Sequence, residues 1–188
     1  LLYCELLQEE ELPESAADNV NALYRQTERL RFLIDSLVRL SRLENGIISL
    51  SVKQQDLQPI LETVISQYMA KADQKGLSLL LEKTEAKAAF DAKWTAEALG
   101  NLLDNAIKYT EHGSIRLSVK AYEMFVRIDV CDTGIGISES EQAQIFSRFY
   151  RSREVSEQQG VGIGLYLSRE IISSEGGYMK VKSAPGMG

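Results

Sequence analysis

The stretch that decides the fold is NLLDNAIKY, residues 101–109. A helix places side chains that are three and four residues apart on one face, so Asn101, Asn105 and Lys108 form a polar stripe. The opposite face is apolar and predicts a core helix; it consists of Leu102, Leu103, Ala106 and Ile107. Amide oxygens suit Mg²⁺ and an ammonium group suits phosphate. The stripe is therefore either a ligand-binding face or an ordinary solvated helix face.

A second motif is DTGIGI, residues 132–137, which directly follows a predicted strand. Gly134 and Gly136 allow the backbone to approach a flat ligand closely. Asp132 is placed to accept a hydrogen bond from an exocyclic amine such as adenine N6. Taken alone, the same pattern also fits an ordinary tight turn.

A third motif is GVGIGL, residues 160–165, which leads into a predicted helix. Gly160, Gly162 and Gly164 free the backbone to wrap an anion, and the helix N-terminus adds amides and a favourable dipole. A dinucleotide-binding turn is the competing interpretation, but no preceding strand or parallel crossover accompanies the motif. The motif also lacks the Gly-Lys-Ser/Thr ending of a P-loop.

The segment between the two glycine motifs begins with IFSRFYR, residues 145–151. Phe146 and Phe149 are expected to fill the core. Arg148 and Arg151 are either surface charges or phosphate contacts. The polar composition of residues 152–159 predicts a mobile lid.

The N-terminal region has a helical pattern. Residues 1–10 predict the end of one helix and residues 16–44 a second, roughly 40 Å long. Its leucines recur at spacings of seven, three and four, which is typical of a coiled-coil or bundle seam; they are Leu23, Leu30, Leu33, Leu37 and Leu40. Such a narrow stripe needs a partner helix. The alternative is an ordinary core helix.

The remaining pattern interleaves helices with strands. Strands are predicted at residues 47–52, 77–82, 88–90, 114–121, 125–131 and 178–182, and helices at 57–73, 91–109 and 162–175. This order predicts an α+β fold: a two-layer α/β sandwich with a mixed sheet covered on one face by helices, preceded by a partial helical hairpin. The expected domains are residues 1–45 and 46–188.

Composition narrows the class of protein. The 188 residues are 44% hydrophobic and 26% charged, which is typical of a globular chain. The net charge of −6 offers no general attraction for nucleic acid or anionic lipid, so we expect no nucleic-acid partner. Cys4 and Cys131 lie far apart without metal-ligand spacing, and both are expected to be reduced, in a cytosolic compartment. No apolar run approaches the roughly 20 residues that span a bilayer.

The order and spacing of the three motifs resemble the histidine-kinase branch of the ATPase superfamily that includes gyrase, heat-shock chaperones and mismatch-repair proteins. The resemblance runs from about residue 16 to the end. LSRLENG, residues 40–46, also resembles the end of the second stem helix of sensor kinases. The resemblance implies phosphoryl transfer from ATP to a histidine and then to an aspartate of a response regulator. It further implies a homodimer through the stem and a cytoplasmic portion of a protein anchored in the inner (plasma) membrane.

The resemblance also implies roles around the adenine and the metal ion. Asn105 would be the Mg²⁺ ligand, and Asn101 would support the ion or the phosphates. Lys108 would contact phosphate, and Tyr109 would lie near the adenine or ribose. Asp132 would select adenine, with Gly134 and Gly136 making room for it.

Further roles are implied around the lid and the phosphates. Gly160, Gly162, Gly164 and Leu165 would border both. Arg148 and Arg151 would be catalytic contacts of the γ-phosphate, together with Asn105 and Lys108. Glu97, one turn before Asn101, is a candidate for ordering water.

The phosphate-accepting histidine of this family is missing from the chain. The single histidine, His112, lies in a predicted turn between a helix and a strand, which argues against an acceptor role. Residues 1–8 resemble the distal part of the first stem helix, so the acceptor is expected upstream of residue 1. Residues 186–188 resemble the family's third glycine motif, with its following strand truncated.

Three alternatives stay open at this point. They are a related ATPase or chaperone, a protein-serine kinase of the same superfamily, and a catalytically inert regulatory module. The stem helix argues against the first two, and the intact motifs argue against the third.

Overall fold

The computed structural model describes residues 2–8, 10, 12–46, 49–152, 161–186 and 188. In chain order its helices and strands are α1 (Leu2–Gln8), α2 (Glu14–Glu44), β1 (Lys53–Asp56), α3 (Gln58–Gln74), β2 (Ser78–Leu81), β3 (Lys87–Phe90), α4 (Ala92–Tyr109), β4 (Ser114–Ala121), β5 (Val126–Asp132), α5 (Glu139–Gln142) and α6 (Gly164–Ser174). The predicted α+β class with a preceding helical hairpin is confirmed.

The main sheet is mixed and has the strand order β2-β4-β5. β2 runs parallel to β4, with Ser78 opposite Ser114, and β4 runs antiparallel to β5, with Ile115 opposite Asp132. This register places the end of β5, where Asp132 lies, beside the start of β4. A separate antiparallel pair, β1-β3, lies at the entrance to α4.

The principal core forms where α3 and α4 cover the sheet. Leu61, Leu103, Ile107, Ile115 and Leu117 are fully buried in it. Burying each such side chain contributes about 1.5–3 kcal/mol. The apolar face predicted for residues 101–109 therefore fixes which way the polar stripe of α4 points, because the two faces are opposite on one helix.

Both ends of α4 are held by specific hydrogen bonds. At its start, Asp91 Oδ1 accepts from the backbone N–H groups of Lys93 and Trp94 at 3.0 and 3.2 Å, which is an N-cap. At its end, Lys75 Nζ donates to the carbonyl oxygens of Ile107, Lys108 and Thr110 at 2.8, 2.9 and 3.1 Å. A cation at this position also interacts favourably with the negative end of the helix dipole. The helix that carries the polar stripe is thus fixed at both termini.

A second core joins α2 to α4 and α6. Leu40 is 3% exposed and belongs to a buried cluster with Trp94, Ala98, Leu167 and Ile171. Leu33 packs against this cluster from one side. These contacts attach the end of the long helix to the domain that follows it.

The five leucines of the predicted seam lie in two different environments in the structure. Leu33 and Leu40, seven residues apart, face α4 and α6. Leu23, Leu30 and Leu37 remain exposed at 60%, 56% and 39%. Residues seven apart lie on the same face of a helix. The line of Leu33 and Leu40 and the exposed line of the other three leucines can therefore pack against different partners.

Two predicted strands do not form as expected. Residues 47 and 48 of the strand at 47–52 lie outside the described residues, and residues 49–52 form no strand; β1 begins at Lys53. Its sequence, KQQD, is polar and lacks alternation, so only its pairing with β3 makes it a strand. Residues 178–182 form no strand within the described part of the chain. Alternation predicts which side chains share a face, but a strand also needs a neighbouring backbone.

Candidate nucleotide site

The polar stripe of α4 contains two asparagines with different surroundings. Asn101 Nδ2 donates to Ser168 Oγ of α6 at 3.3 Å. Asn105 is half-buried, and its side chain forms no hydrogen bond with any residue that the structure describes. Among the described residues, therefore, none occupies the amide oxygen or nitrogen of Asn105.

The end of α4 carries a cation next to an aromatic ring. Lys108 Nζ donates to Tyr109 Oη at 3.0 Å and lies 4.7 Å from the centre of the Tyr109 ring. Both side chains are half-buried. The cation–π contact holds the ammonium group near the site without neutralising its charge, so it can still attract phosphate.

The turn after β5 holds the Asp132 carboxylate in a fixed orientation. Asp132 Oδ1 accepts from the backbone N–H of Gly134 at 2.9 Å. The backbone N–H of Ile135 donates to the Tyr109 carbonyl at 3.2 Å, which attaches the turn to the end of α4. Asp132 Oδ2 accepts no hydrogen bond from the described residues, so one carboxylate oxygen is available to a ligand N–H. An oriented carboxylate oxygen of this kind can accept a hydrogen bond from an exocyclic amine.

The two glycines of this turn are required by close backbone contacts. A Cβ at Gly134 would lie 2.6 Å from the Tyr109 carbonyl oxygen. Gly136 has φ +73°, and a Cβ there would lie 2.0 Å from the Ala184 carbonyl oxygen. The backbone N–H of Gly186 also donates to Ile135 O at 2.7 Å. The C-terminal segment therefore packs against the turn and leaves no space for a side chain.

The glycines before α6 are less alike than their spacing indicates. Gly162 has φ +75°, and a Cβ there would lie 2.5 Å from the Tyr150 carbonyl oxygen. Gly164 has an ordinary backbone conformation, and a Cβ there would make normal contacts with Asn101 at 3.5 Å and beyond. Gly160 lies outside the described residues, as does all of the predicted lid except Ser152. Leu165 is half-buried in the first turn of α6.

The aromatic segment 145–151 differs from its prediction. Phe149 is 54% exposed and has φ +62°, so it does not fill the core; Phe146 is half-buried. The backbone N–H of Phe149 donates to the Gly162 carbonyl at 2.9 Å. This bond and the left-handed backbone set the direction of the chain here, which aromatic composition cannot reveal.

The two arginines proposed to contact phosphate, and Glu97, the candidate for ordering water, all interact with other residues of the protein. Arg148 Nη2 donates to Tyr166 Oη at 2.9 Å, and its guanidinium carbon lies 4.8 Å from the Tyr166 ring centre. Arg151 is half-buried. Glu97 forms an ion pair with Arg39 of α2. Glu97 therefore connects the stem to α4, which sequence spacing alone did not indicate.

Several positioning residues were not predicted. Ser168 contacts Asn101, and its spacing of four from Gly164 was a usable signal for a shared helix face. Glu175, after the end of α6, accepts from the Asp91 backbone N–H at 3.0 Å and from Thr95 Oγ1 at 2.9 Å. Burial raises the pKa of Glu175, and these two hydrogen bonds oppose the rise. No sequence pattern links residues 80 positions apart.

His112 lies in an exposed bend, and its carbonyl oxygen accepts from Thr133 Oγ1 at 3.3 Å. The predicted turn at this position is confirmed. Cys4 and Cys131 are both free. No helix within the described ranges has the length and apolar character needed to cross a bilayer.

The residues present fit an adenine nucleotide with Mg²⁺. Asp132 offers a fixed acceptor, and Gly134 allows close backbone approach at the same place. On the same helix end, Asn105 offers an amide oxygen and Lys108 a cation, which are the group types that Mg²⁺ and phosphate prefer.

The family models and the named proteins that match this chain point to sensor histidine kinases. The family described as "Histidine kinase-, DNA gyrase B-, and HSP90-like ATPase" matches residues 90–188, and the "His Kinase A (phospho-acceptor) domain" matches residues 1–46. Sensor histidine kinase MtrB of Mycobacterium leprae is 32% identical over 167 residues, covering 87% of this chain and 30% of MtrB. Virulence sensor protein BvgS of Bordetella bronchiseptica is 32% identical over 186 residues, covering 93% of this chain and 15% of BvgS.

The solved structure of full-length ShkA in complex with AMPPNP is similar in fold. It has a TM-score of 0.79 and 26% identity, and the match covers 98% of this chain and 39% of ShkA. This chain therefore spans less than two-fifths of the length of each of these relatives. The motifs, the fold and both family matches agree: this chain belongs to the histidine kinase-, DNA gyrase B- and HSP90-like ATPase family, in its sensor histidine kinase branch.

Proposed function

We propose that this chain is the ATP-binding catalytic region of a two-component sensor histidine kinase. The kinase would transfer the γ-phosphoryl group of ATP to a histidine, and the group would then pass to a response regulator. The observation that supports this most is the turn after β5. There the Asp132 carboxylate is oriented by Gly134 N–H beside the end of α4, with one oxygen available to an adenine amine. The AMPPNP complex of the related ShkA supports the same nucleotide class.

In this proposal each site residue has one task. Asp132 accepts from adenine, and Gly134 and Gly136 keep side chains away from the ring. Asn105 would hold Mg²⁺ through its amide oxygen, with Asn101 in support. When bound, Mg²⁺ would neutralise phosphate charge, and such charge neutralisation, together with positioning, supplies most of the catalysis in phosphoryl transfer.

The remaining residues act on the phosphates. Lys108 offers its ammonium group, held by the ring of Tyr109. Gly162 and Gly164 shape the turn at the N-terminus of α6, where backbone N–H groups favour anions; Gly160 and Leu165 belong to the same motif. Arg148 and Arg151 remain proposed γ-phosphate contacts, and for Arg148 this requires release from Tyr166.

The proposed reaction balances without a further reactant. An imidazole nitrogen of the acceptor histidine forms a bond to the γ-phosphorus while the bond to the β,γ-bridging oxygen breaks. ADP leaves, and the imidazole proton passes to solvent. The phosphoryl group then moves to an aspartate of the response regulator.

The parent protein would be a homodimer through its stem helices, and the exposed line of Leu23, Leu30 and Leu37 supports this. The acceptor histidine would lie upstream of residue 1. The chain would be the cytoplasmic portion of a protein anchored in the inner membrane, as proposed from its sensor-kinase relatives.

The chain itself is expected to gain no phosphohistidine when it is incubated with γ-labelled ATP and Mg²⁺. A longer chain that adds the upstream residues should become labelled, with phosphate that is stable in alkali and labile in acid. The readout is label retained after separate acid and alkali treatment of the denatured proteins.

A His112→Gln variant is the matched control, because His112 is the single histidine here and lies in an exposed bend. Phosphohistidine on the 188-residue chain, lost in His112→Gln, would contradict the proposal. Nucleotide binding without labelling of the longer chain would instead favour an inert regulatory module.

A further inference from the structure

Ser168 is a fully buried hydroxyl between α4 and α6, with 0% exposure. Its Oγ lies 2.9 Å from the Gly164 carbonyl oxygen and 3.2 Å from the Ala98 carbonyl oxygen. Asn101 Nδ2 approaches the same oxygen at 3.3 Å. A serine hydroxyl has one proton and two lone pairs. Because both carbonyls can only accept, the hydroxyl shares its one proton between them, with the shorter distance to Gly164 O, and accepts from Asn101.

This arrangement determines which way the Asn101 amide faces. Its nitrogen is paired with Ser168, so its oxygen points away from Ser168. Asn101 Oδ1 is the side-chain atom that lies nearest to the Cβ position of Gly164, at 3.5 Å. Gly164 is the first residue of α6, and Ser168 lies one turn further along. The amide therefore spans the first turn of α6 with its oxygen toward the glycine turn.

We propose that Ser168 is a positioning residue of the nucleotide site: its hydroxyl selects the Asn101 orientation that presents an oxygen, rather than an N–H group, toward the N-terminus of α6. The inference rests on the proposed function, because it matters only if Mg²⁺ and phosphate lie there. Mg²⁺ takes oxygen ligands, directly or through its bound water. A flipped amide would present hydrogen atoms to a cation and weaken its binding.

The oxygen and nitrogen ends of a carboxamide have nearly the same shape, so packing alone does not select one orientation. Hydrogen-bond partners select it. Gly164 cannot select the orientation through a side chain, and the structure describes Ser168 as the one hydrogen-bond partner of the Asn101 side chain. Removing this hydroxyl is therefore expected to leave the backbone in place and release the amide.

The test is a calorimetric titration of the 188-residue chain with a non-hydrolysable ATP analogue, with Mg²⁺ and with EDTA. Ser168→Ala should reduce the Mg²⁺-dependent gain in affinity about tenfold, the size typical of losing a residue that orients a metal ligand. Affinity in EDTA should stay within about twofold of the unsubstituted chain. In an Asn101→Ala background, Ser168→Ala should have no additional effect on the Mg²⁺ dependence, because no amide remains to be oriented.

Ser118→Ala is the matched control, since Ser118 is also buried, at 8% exposure, but lies on β4. It should leave both affinities unchanged. Ser168→Cys keeps the branching of the side chain, in a larger volume and with only weak hydrogen bonding, so it should show the same Mg²⁺-specific loss by a substitution that leaves no cavity.

Two outcomes would overturn the inference while leaving the proposed function intact. One is equal loss of affinity with and without Mg²⁺, which indicates a merely structural serine. The other is an unchanged Mg²⁺ dependence in both Ser168 variants. Failure of the unsubstituted chain to bind nucleotide would be a different result, since it would remove the proposed function and this inference together.

Discussion

Replacing Asp132 with asparagine is expected to reduce adenine-nucleotide affinity at least about a hundredfold, with and without Mg²⁺. The substitution keeps the size and shape of the side chain. The asparagine oxygen would keep the bond to Gly134 N–H, which in the native chain is 2.9 Å long. The amide NH₂ would then occupy the position of Asp132 Oδ2 and meet the adenine amine donor to donor. An acceptor and a charge-assisted hydrogen bond are both lost.

Calorimetric titration with an ATP analogue measures this loss. Asp129→Asn is the matched control, because Asp129 lies three residues earlier on β5 and pairs with Arg127 at 3.0 Å. It should bind nucleotide like the unsubstituted chain. If Asp132→Asn bound within about threefold of the native affinity, Asp132 would not be the adenine acceptor.

Gly136→Ala is expected to destabilise the chain by about 2 kcal/mol more than Gly76→Ala does. Both glycines have positive φ, +73° and +70°, so both substitutions carry the left-handed backbone cost of about 1–2 kcal/mol. A Cβ at Gly76 meets nothing within 4 Å, whereas a Cβ at Gly136 would lie 2.0 Å from Ala184 O. Backbone must therefore move at Gly136, and the bond from Gly186 N–H to Ile135 O is expected to break.

Urea unfolding of both variants measures the difference, and nucleotide titration of the Gly136 variant reports its effect on the site. Affinity should fall in Gly136→Ala and remain native in Gly76→Ala, because a Cβ at Gly76 meets nothing within 4 Å and displaces no neighbouring backbone. Equal unfolding free energies for the two variants would show that the C-terminal segment does not pack against this turn.

Local pattern predicted much of the fold. The apolar face of residues 101–109 correctly indicated the buried side of α4, because Leu103, Ala106 and Ile107 follow a single helical periodicity. The hairpin of β4 and β5 was equally visible from alternation. β1 was missed because its residues are polar and its pairing with β3 is not encoded in its own sequence.

Some features of the candidate site are likewise determined by local sequence, and others by tertiary packing. The turn at Asp132 and Gly134 is a local feature, and its sequence indicated the geometry. The contacts between motifs depend on how distant segments pack. The bonds from Asn101 to Ser168 and from Ile135 to Tyr109 join residues that no periodicity relates.

In the stem, periodicity predicted which residues share a helix face but not the partner of each face. Five leucines at heptad-like spacing predicted one seam, yet Leu40 is buried against α4 and α6 while Leu23 remains exposed. Spacing specifies which residues share a helix face, but the partner of each face is set by the rest of the molecule. The Arg39–Glu97 ion pair lies at the same junction.

The most direct test of the nucleotide site is calorimetric titration of the 188-residue chain with an ATP analogue, with Mg²⁺ and with EDTA, beside Asn105→Ala. We expect one bound nucleotide per chain, with affinity that Mg²⁺ increases in the native chain and does not increase in Asn105→Ala. Absence of binding, or a Mg²⁺ effect that survives in Asn105→Ala, would contradict the assignment of this site.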